Sequence, residues 1–371
     1  MSNSISYIVD ATLPNNSAYS IHIMKMCEAF AVHGLKIKLY INSDSYSKDK
    51  LFKSYGIKNK FEIESIGKTK LLGVFNRVAF STKSIIKSRK SLIYTRDPII
   101  LTIALLLNKK AIYEAHGFIE FFSRRLEKVF SKFQILHKKK ILKVVCISEA
   151  LKQAYVSRYA INQKKIIVLH DGVNLENFTS KSELFKTTQL KIAFFGSLYE
   201  GKGLEIIVEI AINMEEVLFH IYGGENWQID QIKDKLLGLN IKNIIFHGHV
   251  QNSEIPSIQS TYDILLMPYK NKVIGRGVED ISQWMSPMKM FEYMASGSVI
   301  ISSNLPVIQE VLNTNNAYLV DPDNIDQWID TIKHIEKNKL EAKNKALKAL
   351  RDVEKYSWKS RAEFLLGVMN E

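Results

Sequence analysis

Between Ile5 and Val320, short apolar runs alternate with longer stretches whose apolar residues recur at helical spacing. Runs such as Ile192–Phe195 and Val299–Ser303 are apolar almost throughout instead of alternating. That is the pattern of a strand buried on both faces, and a parallel sheet covered by helices on each side is the structure that demands it. The class is therefore α/β. The series runs once from Ile5 to His170 and starts again at Lys191, and 371 residues exceed what one ordinary core supports. Two domains are expected, at 1–172 and 191–355, joined by a polar, aperiodic linker at 173–190. A last helix at 356–371, carrying Trp358, Phe364 and Leu365, closes the chain.

The stretch Ser286–Gly297, S-P-M-K-M-F-E-Y-M-A-S-G, lies between two apolar runs and reads as a helix slung between parallel strands. Ser286 fits the N-cap, Pro287 the first helical position and Gly297 the stop. Its first backbone N–H groups, around Ser286, Pro287 and Met288, and the positive end of the helix dipole then face the strand ends, where an anion binds. Lys289 in the first turn opposes the dipole unless it meets that anion. Glu292, one turn on, offers only acceptors and suits a pair of hydroxyls. The alternative is an i,i+3 surface pair worth a few tenths of a kcal/mol.

Phe194–Gly203, F-F-G-S-L-Y-E-G-K-G, couples a strand to a glycine turn and Lys202. Cys146–Glu149, C-I-S-E, is followed by V-L-H-D-G-V-N-L-E-N-F at Val168–Phe178. Together with S-P-x-K-x-x-E-Y-M-A, these segments resemble glycosyltransferase family 4 in order and spacing over nearly the whole chain. The family consists of retaining sugar transferases of the GT-B fold, with two Rossmann-like domains facing each other across a cleft and a C-terminal helix crossing back to the first domain.

The resemblance implies that the first domain binds the acceptor and the second a nucleotide diphosphate sugar. Gly196, Ser197, Lys202 and Gly203 would hold the diphosphate with Lys289, Glu292 would hold the ribose, and Tyr222 and Val250 lie at strand ends where the base is contacted. His116, in E-A-H-G-F just past a strand end, matches a histidine that meets the transferred sugar. Catalytic roles are thus implied for His116, Lys202 and Glu292. Three positions depart from the family pattern: Trp284 where a Glu is frequent, Ser197 where an Arg is frequent, and P-N-N-S-A-Y-S at Pro14–Ser20 in place of a Gly-Gly loop. Arg276 and Asp280 are candidates to hold the sugar in place of that Glu.

In the first domain a strand at Ile5–Ala11, a helix at Tyr19–His33 and a strand at Lys36–Ile41 form a βαβ start. Asn15, Asn16 and Ser17 cover the first strand's carboxyl end, either as phosphate donors or as a capped turn. Arg96 and Asp97 follow the strand Ser91–Thr95 and lie at a neighbouring strand end.

Charge divides unevenly. Residues 1–170 hold 30 basic against 11 acidic side chains, whereas 171–371 hold 21 against 27. The first half therefore faces something anionic: a membrane, a phosphorylated acceptor or a nucleic acid. No zinc spacing or nucleic-acid-binding signature supports the last. Ile119–Lys143 interleaves Leu126, Val129, Phe130, Phe133 and Leu136 with Arg124, Arg125, Lys128, Lys132 and Lys138–Lys140. It reads as one helix, either packed on the core with a solvated basic face or resting on anionic lipid.

The N-terminus lacks the basic and apolar regions of a signal peptide, and the longest apolar run is too short for a span. Two cysteines in apolar surroundings suit free thiols in a reducing compartment, so a cytoplasmic protein, peripheral at the inner membrane face, is expected.

The reaction expected is transfer of a sugar to an acceptor hydroxyl, on a lipid-linked or growing surface glycan, with retention at the anomeric carbon. No metal is implied and no cofactor beyond the co-substrate. A nucleotide-sugar epimerase of the same fold and a non-catalytic donor-binding partner are the alternatives.

Overall fold

The computed structural model describes residues 4–15, 17–43, 47–67, 73–178, 183–275 and 279–370. They form two compact units, Met1–Asp171 with Trp358–Glu371, and Gly172–Ser357. The first is built on seven strands: β1 Ser4–Val9, β2 Lys36–Ile41, β3 Glu62–Ser65, β4 Leu92–Thr95, β5 Ala111–Ala115, β6 Ile141–Cys146 and β7 Ile166–Val168. The second has six: β8 Ile192–Phe195, β9 Phe219–Tyr222, β10 Ile244–Gly248, β11 Ile264–Met267, β12 Val299–Ser303 and β13 Tyr318–Val320.

All described pairings within both sheets are parallel. The orders are β3-β2-β1-β4-β5-β6-β7 and β10-β9-β8-β11-β12-β13. Each sheet therefore grows outward in both directions from a central pair, β1 with β4 and β8 with β11. The crevice outside the carboxyl ends of such a pair, where neighbouring connections diverge, is the place ligands take in open α/β sheets.

The apolar runs are explained by burial on both faces. Along β8, Ile192 and Phe194 enter one core layer while Ala193 and Phe195 enter the other, and β11 and β12 divide in the same way. The helix Trp358–Asn370 belongs to the first unit, where it packs beside the helix Ala18–Val32. Trp358 stands edge-on to His22 at 5.0 Å, and His33 Nε2 lies 3.0 Å from the Lys359 carbonyl. Leu365 is buried as expected, but Phe364 is 51% exposed, because it falls between the buried positions of the helical turn.

Two other expectations change. At the two ends of the stretch 173–190, Val173 and Leu190 are buried in opposite core layers of the second unit. Their irregular spacing gives no period to read. The basic stretch is not one helix. Ser123 caps a helix of only nine residues, Arg124–Lys132, and Gln134 then turns left-handed at φ 47° before a short 3-10 turn leads to β6. Among the described residues no helix is long and apolar enough to cross a membrane.

Candidate functional site

In the second unit the chain leaves β8 through Gly196 and reaches the helix Leu204–Asn213 at Gly203. Gly203 has φ 107°, and a Cβ there would lie 2.1 Å from the Pro268 carbonyl oxygen, so only glycine lets this turn close on the end of β11. A Cβ on Gly196 would come within 3.3 Å of Lys289 Nζ.

The expected lysines converge here. Lys289 Nζ lies 4.2 Å from the ring centroid of Phe194 and 4.5 Å from that of Tyr269, and Lys202 Nζ lies 5.3 Å from the same Tyr269 ring. Both are half-buried, and among the described residues the close contacts of both ammoniums are aromatic faces. Burial pushes Lys202 down to about 8. Burial first, and the charge of Lys202 second, push Lys289 well below the usual lysine range, with Glu292 opposing. Two amines held together at that cost keep their charges most easily beside an anion.

The helix behind them is Met288–Ser296, closed by Gly297 in the left-handed conformation at φ 67°. Its cap is Pro287, extended at ψ 121°, with no side-chain cap bond, and Ser286 sits one residue earlier and buried. Ser286 is therefore not the N-cap: Pro287 is itself extended, and the helix begins one residue later than expected. The cap residue itself gives the first N–H groups no side-chain acceptor, which suits an anion site. Tyr293 fixes the helix in place, its Oη accepting from Phe195 N at 2.9 Å and lying 3.3 Å from the Leu266 carbonyl. Glu292 is half-buried one turn beyond Lys289.

Tyr222 closes β9, and its hydroxyl lies 2.7 Å from that of Tyr262. Its ring is stacked between Phe195 at 4.5 Å and His247 at 4.2 Å, with interplanar angles of 4° and 6°, which leaves no face for a base. Ser197 is exposed, and Val250 is half-buried two residues past β10. Arg276 lies outside the described residues. Asp280 staples its own loop, accepting from Val273 N and Ser282 N at 3.1 and 2.9 Å.

In the first unit, His116 follows β5 and its Nε2 lies 2.7 Å from Glu114 Oε1. Glu114 is fully buried and also meets Arg361 Nη2 at 2.6 Å, His22 Nε2 at 2.8 Å and the Tyr94 hydroxyl. His22 Nδ1 in turn lies 2.9 Å from Asp171 Oδ1. Burial raises the Glu114 carboxyl, but the charges of His22 and Arg361 prevail and hold it well below the usual range. Burial, then the charge of Arg96, pushes His116 down to about 3, so its ring is neutral. With Nε2–H donated to Glu114, Nδ1 carries the lone pair and has the chemistry of an acceptor. His22, His116 and Asp171 approach one another closely enough for a cation, but these groups already bond to one another and to Glu114.

Asn15 and Ser17 are spent on the turn itself. Ser17 caps the Ala18–Val32 helix through Ser20 N at 3.2 Å, its own N–H donates to Asn15 Oδ1 at 3.0 Å, and Asn15 Nδ2 donates to the Thr12 carbonyl at 2.9 Å. They form the capped turn, and Asn16 lies outside the described residues. Sequence reasoning missed Glu114, Arg361, Tyr269 and Tyr293. A groove of about 1350 Å³ lies at the amino ends of β1–β3, but Lys38 and Lys87 in its wall are paired with Glu64.

Known proteins resemble this chain in sequence and in fold. Residues 20–177 match the family model Glycosyltransferase Family 4, and residues 189–338 match Glycosyl transferases group 1. The O-antigen chain mannosyltransferase RfbU of Salmonella typhimurium is 25% identical over 217 residues, 57% of this chain and 56% of that one. An uncharacterized glycosyltransferase of Methanocaldococcus jannaschii, MJ1069, is 28% identical over 253 residues, 62% of this chain and 60% of that one. The chain thus spans a little over half the length of these two curated relatives. Anabaena HepE, solved in complex with UDP, superposes with a TM-score of 0.77 over 99% of both chains at 13% identity, which speaks for the fold. The same protein has also been solved with UDP-glucose. With its first unit matched by one of these family models and its second by the other, the chain belongs to the family 4 glycosyltransferases, on the GT-B fold.

Proposed function

We propose that the chain is a retaining hexosyltransferase that moves a sugar from a nucleotide diphosphate sugar to an acceptor hydroxyl of a lipid-linked or growing surface glycan. The observation that carries this reading is the pair Lys202 and Lys289, two half-buried ammoniums on one tyrosine ring beside a helix start with no side-chain cap. A diphosphate supplies the missing negative charge. As the bond from the anomeric carbon to the phosphate oxygen breaks, charge grows on the departing diphosphate, so donors fixed there act on the transition state more than on the ground state. The acceptor oxygen bonds to the anomeric carbon on the face that the phosphate leaves, and its proton passes to the departing phosphate oxygen. No protein base is needed. His116 receives a sugar hydroxyl at Nδ1, and Glu292 holds the ribose. HepE with UDP-glucose and RfbU in O-antigen synthesis support the donor class and the surface-glycan setting.

A thermal-shift screen of the full chain against nucleotide diphosphate sugars identifies the donor, and NMR of the product reads its anomeric configuration. If no nucleotide sugar raises the melting temperature, or the new linkage is inverted, the reading fails. An epimerised donor released without any acceptor would replace it with an epimerase.

The basic stretch of the first unit supports a peripheral site on the inner face of the membrane. Phe122, Val129 and Phe133 are exposed at 46%, 39% and 56% among the exposed Arg124, Arg125, Lys128 and Lys132. Apolar side chains ringed by cations fit anionic lipid, where each basic residue adds about 1 kcal/mol at low salt. Sedimentation should pellet the protein with anionic vesicles and not with neutral ones, and equal behaviour with both rejects this assignment.

A further inference from the structure

In the other unit, Arg96 is a further charge without a counter-ion among the described residues. It is 8% exposed, its Nε and Nη1 are buried with no hydrogen-bond partner among the described residues, and its guanidinium carbon lies 4.6 Å from the ring centroid of Tyr19. It directly follows β4, and Tyr19 is in the first turn of the helix that follows β1. The guanidinium therefore stands in the crevice at the carboxyl ends of β1 and β4, where the first sheet's connections diverge. The described carboxylates nearby, Asp10, Asp97 and Glu114, are already taken. Arg77 holds Asp10 at 2.9 Å and Asp97 at 2.6 Å, and Asp97 also caps the helix Pro98–Leu106. Glu114 is occupied by His22, His116, Arg361 and Tyr94.

A buried guanidinium left unmet is costly, and a sequence keeps one where a ligand completes it. We infer that Arg96 is the cationic wall of an oxyanion subsite in the first unit that takes a phosphate group carried by the acceptor. The inference deepens the transferase reading and rests on it for the word acceptor. Its ligand chemistry is that of a phosphate ester, from either a soluble sugar phosphate or a lipid phosphate. The excess of cations in residues 1–170 draws such a ligand toward this unit.

The test uses inorganic phosphate as probe and the full chain. In phosphate-free buffer, Arg96→Gln should melt no lower than wild type, because it removes an uncompensated charge. Added phosphate should then stabilise wild type and not the variant. In a Lys202→Met background, which removes a cation of the second unit, calorimetry should still detect phosphate binding, and adding Arg96→Gln should weaken it at least tenfold. UDP binding to Arg96→Gln should match wild type.

Three results overturn the inference: phosphate binding in the Lys202→Met background that ignores Arg96, UDP affinity that falls tenfold in Arg96→Gln, or a variant that melts well below wild type in both buffers. Should Arg96→Gln fail to fold, Arg96→Lys retains the charge, and phosphate must still stabilise it. Failure of the transferase reading is seen separately, as wild type that binds no nucleotide at all. Glycerol 3-phosphate and octyl phosphate then distinguish the soluble from the lipid source by which competes better with inorganic phosphate.

Discussion

The two units bury charge in opposite ways. Around Glu114 in the first, two histidines, an arginine and a tyrosine close on one carboxylate. Around Tyr269 in the second, two ammoniums share a ring, and among the described residues neither is closed into an ion pair, although the charge of Glu292 acts on Lys289. A closed set of charges holds a structure together, whereas an open one marks where something else must arrive. Arg96 is instructive because it follows the second pattern inside the first unit.

The largest effect should come from opening the closed set. Arg361→Met removes the guanidinium 2.6 Å from Glu114 and the donor to the Leu169 carbonyl at 2.7 Å. It leaves a buried carboxylate short of one partner, which costs about 3–5 kcal/mol. Urea unfolding monitored in the first unit should show that loss. A change under about 1 kcal/mol would mean that the set is not closed at all.

Removing a member of the open set should do the reverse to stability and damage function instead. Lys202→Met should leave the free protein as stable as wild type or more so, and lower kcat/KM by about 2–4 kcal/mol if the lysine acts on the developing diphosphate charge. Turnover close to wild type would remove Lys202 from the site.

Much of this contrast was legible in the sequence, but unevenly. The strands were readable because doubly buried parallel strands are uniform apolar runs, and Ile192–Phe195 and Val299–Ser303 fall where the pattern puts them. Lys202 and Lys289 were readable because glycine turns and a proline-started helix are local signals. The closed set was not. His22 meets Asp171 across 149 residues, and no local spacing reports such a pair. A signal did exist for Arg361, a charge on the buried stripe with Trp358 and Leu365, and for Glu114, a charge inside the buried run of β5. The break at Gln134 was invisible because Phe130, Phe133 and Leu136 keep a helical period across it, although Phe133 ends up exposed.

Titration sharpens the comparison with a smaller effect. Burial in the folded protein pushes Lys202 down to about 8 from the ordinary lysine value of 10.5. Between those values the unfolded chain binds more protons at this residue than the folded one, so Lys202 makes the free protein more stable as pH rises. Over the same range the ammonium is lost to the diphosphate, and affinity for UDP should fall up to about tenfold per pH unit above 8. The difference between wild type and Lys202→Met isolates both trends. Parallel curves for the two proteins would show that Lys202 keeps its ordinary pKa and is not part of the open set.

The smallest effect tests what holds the open set in place. Tyr293 joins the helix bearing Lys289 to the strands on either side of the crevice, accepting from Phe195 N and reaching the Leu266 carbonyl. Tyr293→Phe keeps the buried ring and removes only the oxygen, so about 1 kcal/mol of stability should be lost. The lost oxygen frees the helix start to shift against Gly196, whose missing side chain gives Lys289 its room. Catalysis depends on donors held within about half an ångström, so kcat should fall more than the stability loss alone accounts for, with KM for the donor less affected. A variant that loses stability while kcat stays at the wild-type value would mean that Lys289 is positioned by its aromatic contacts alone, and that the tyrosine belongs with the closed charges of the first unit as scaffold.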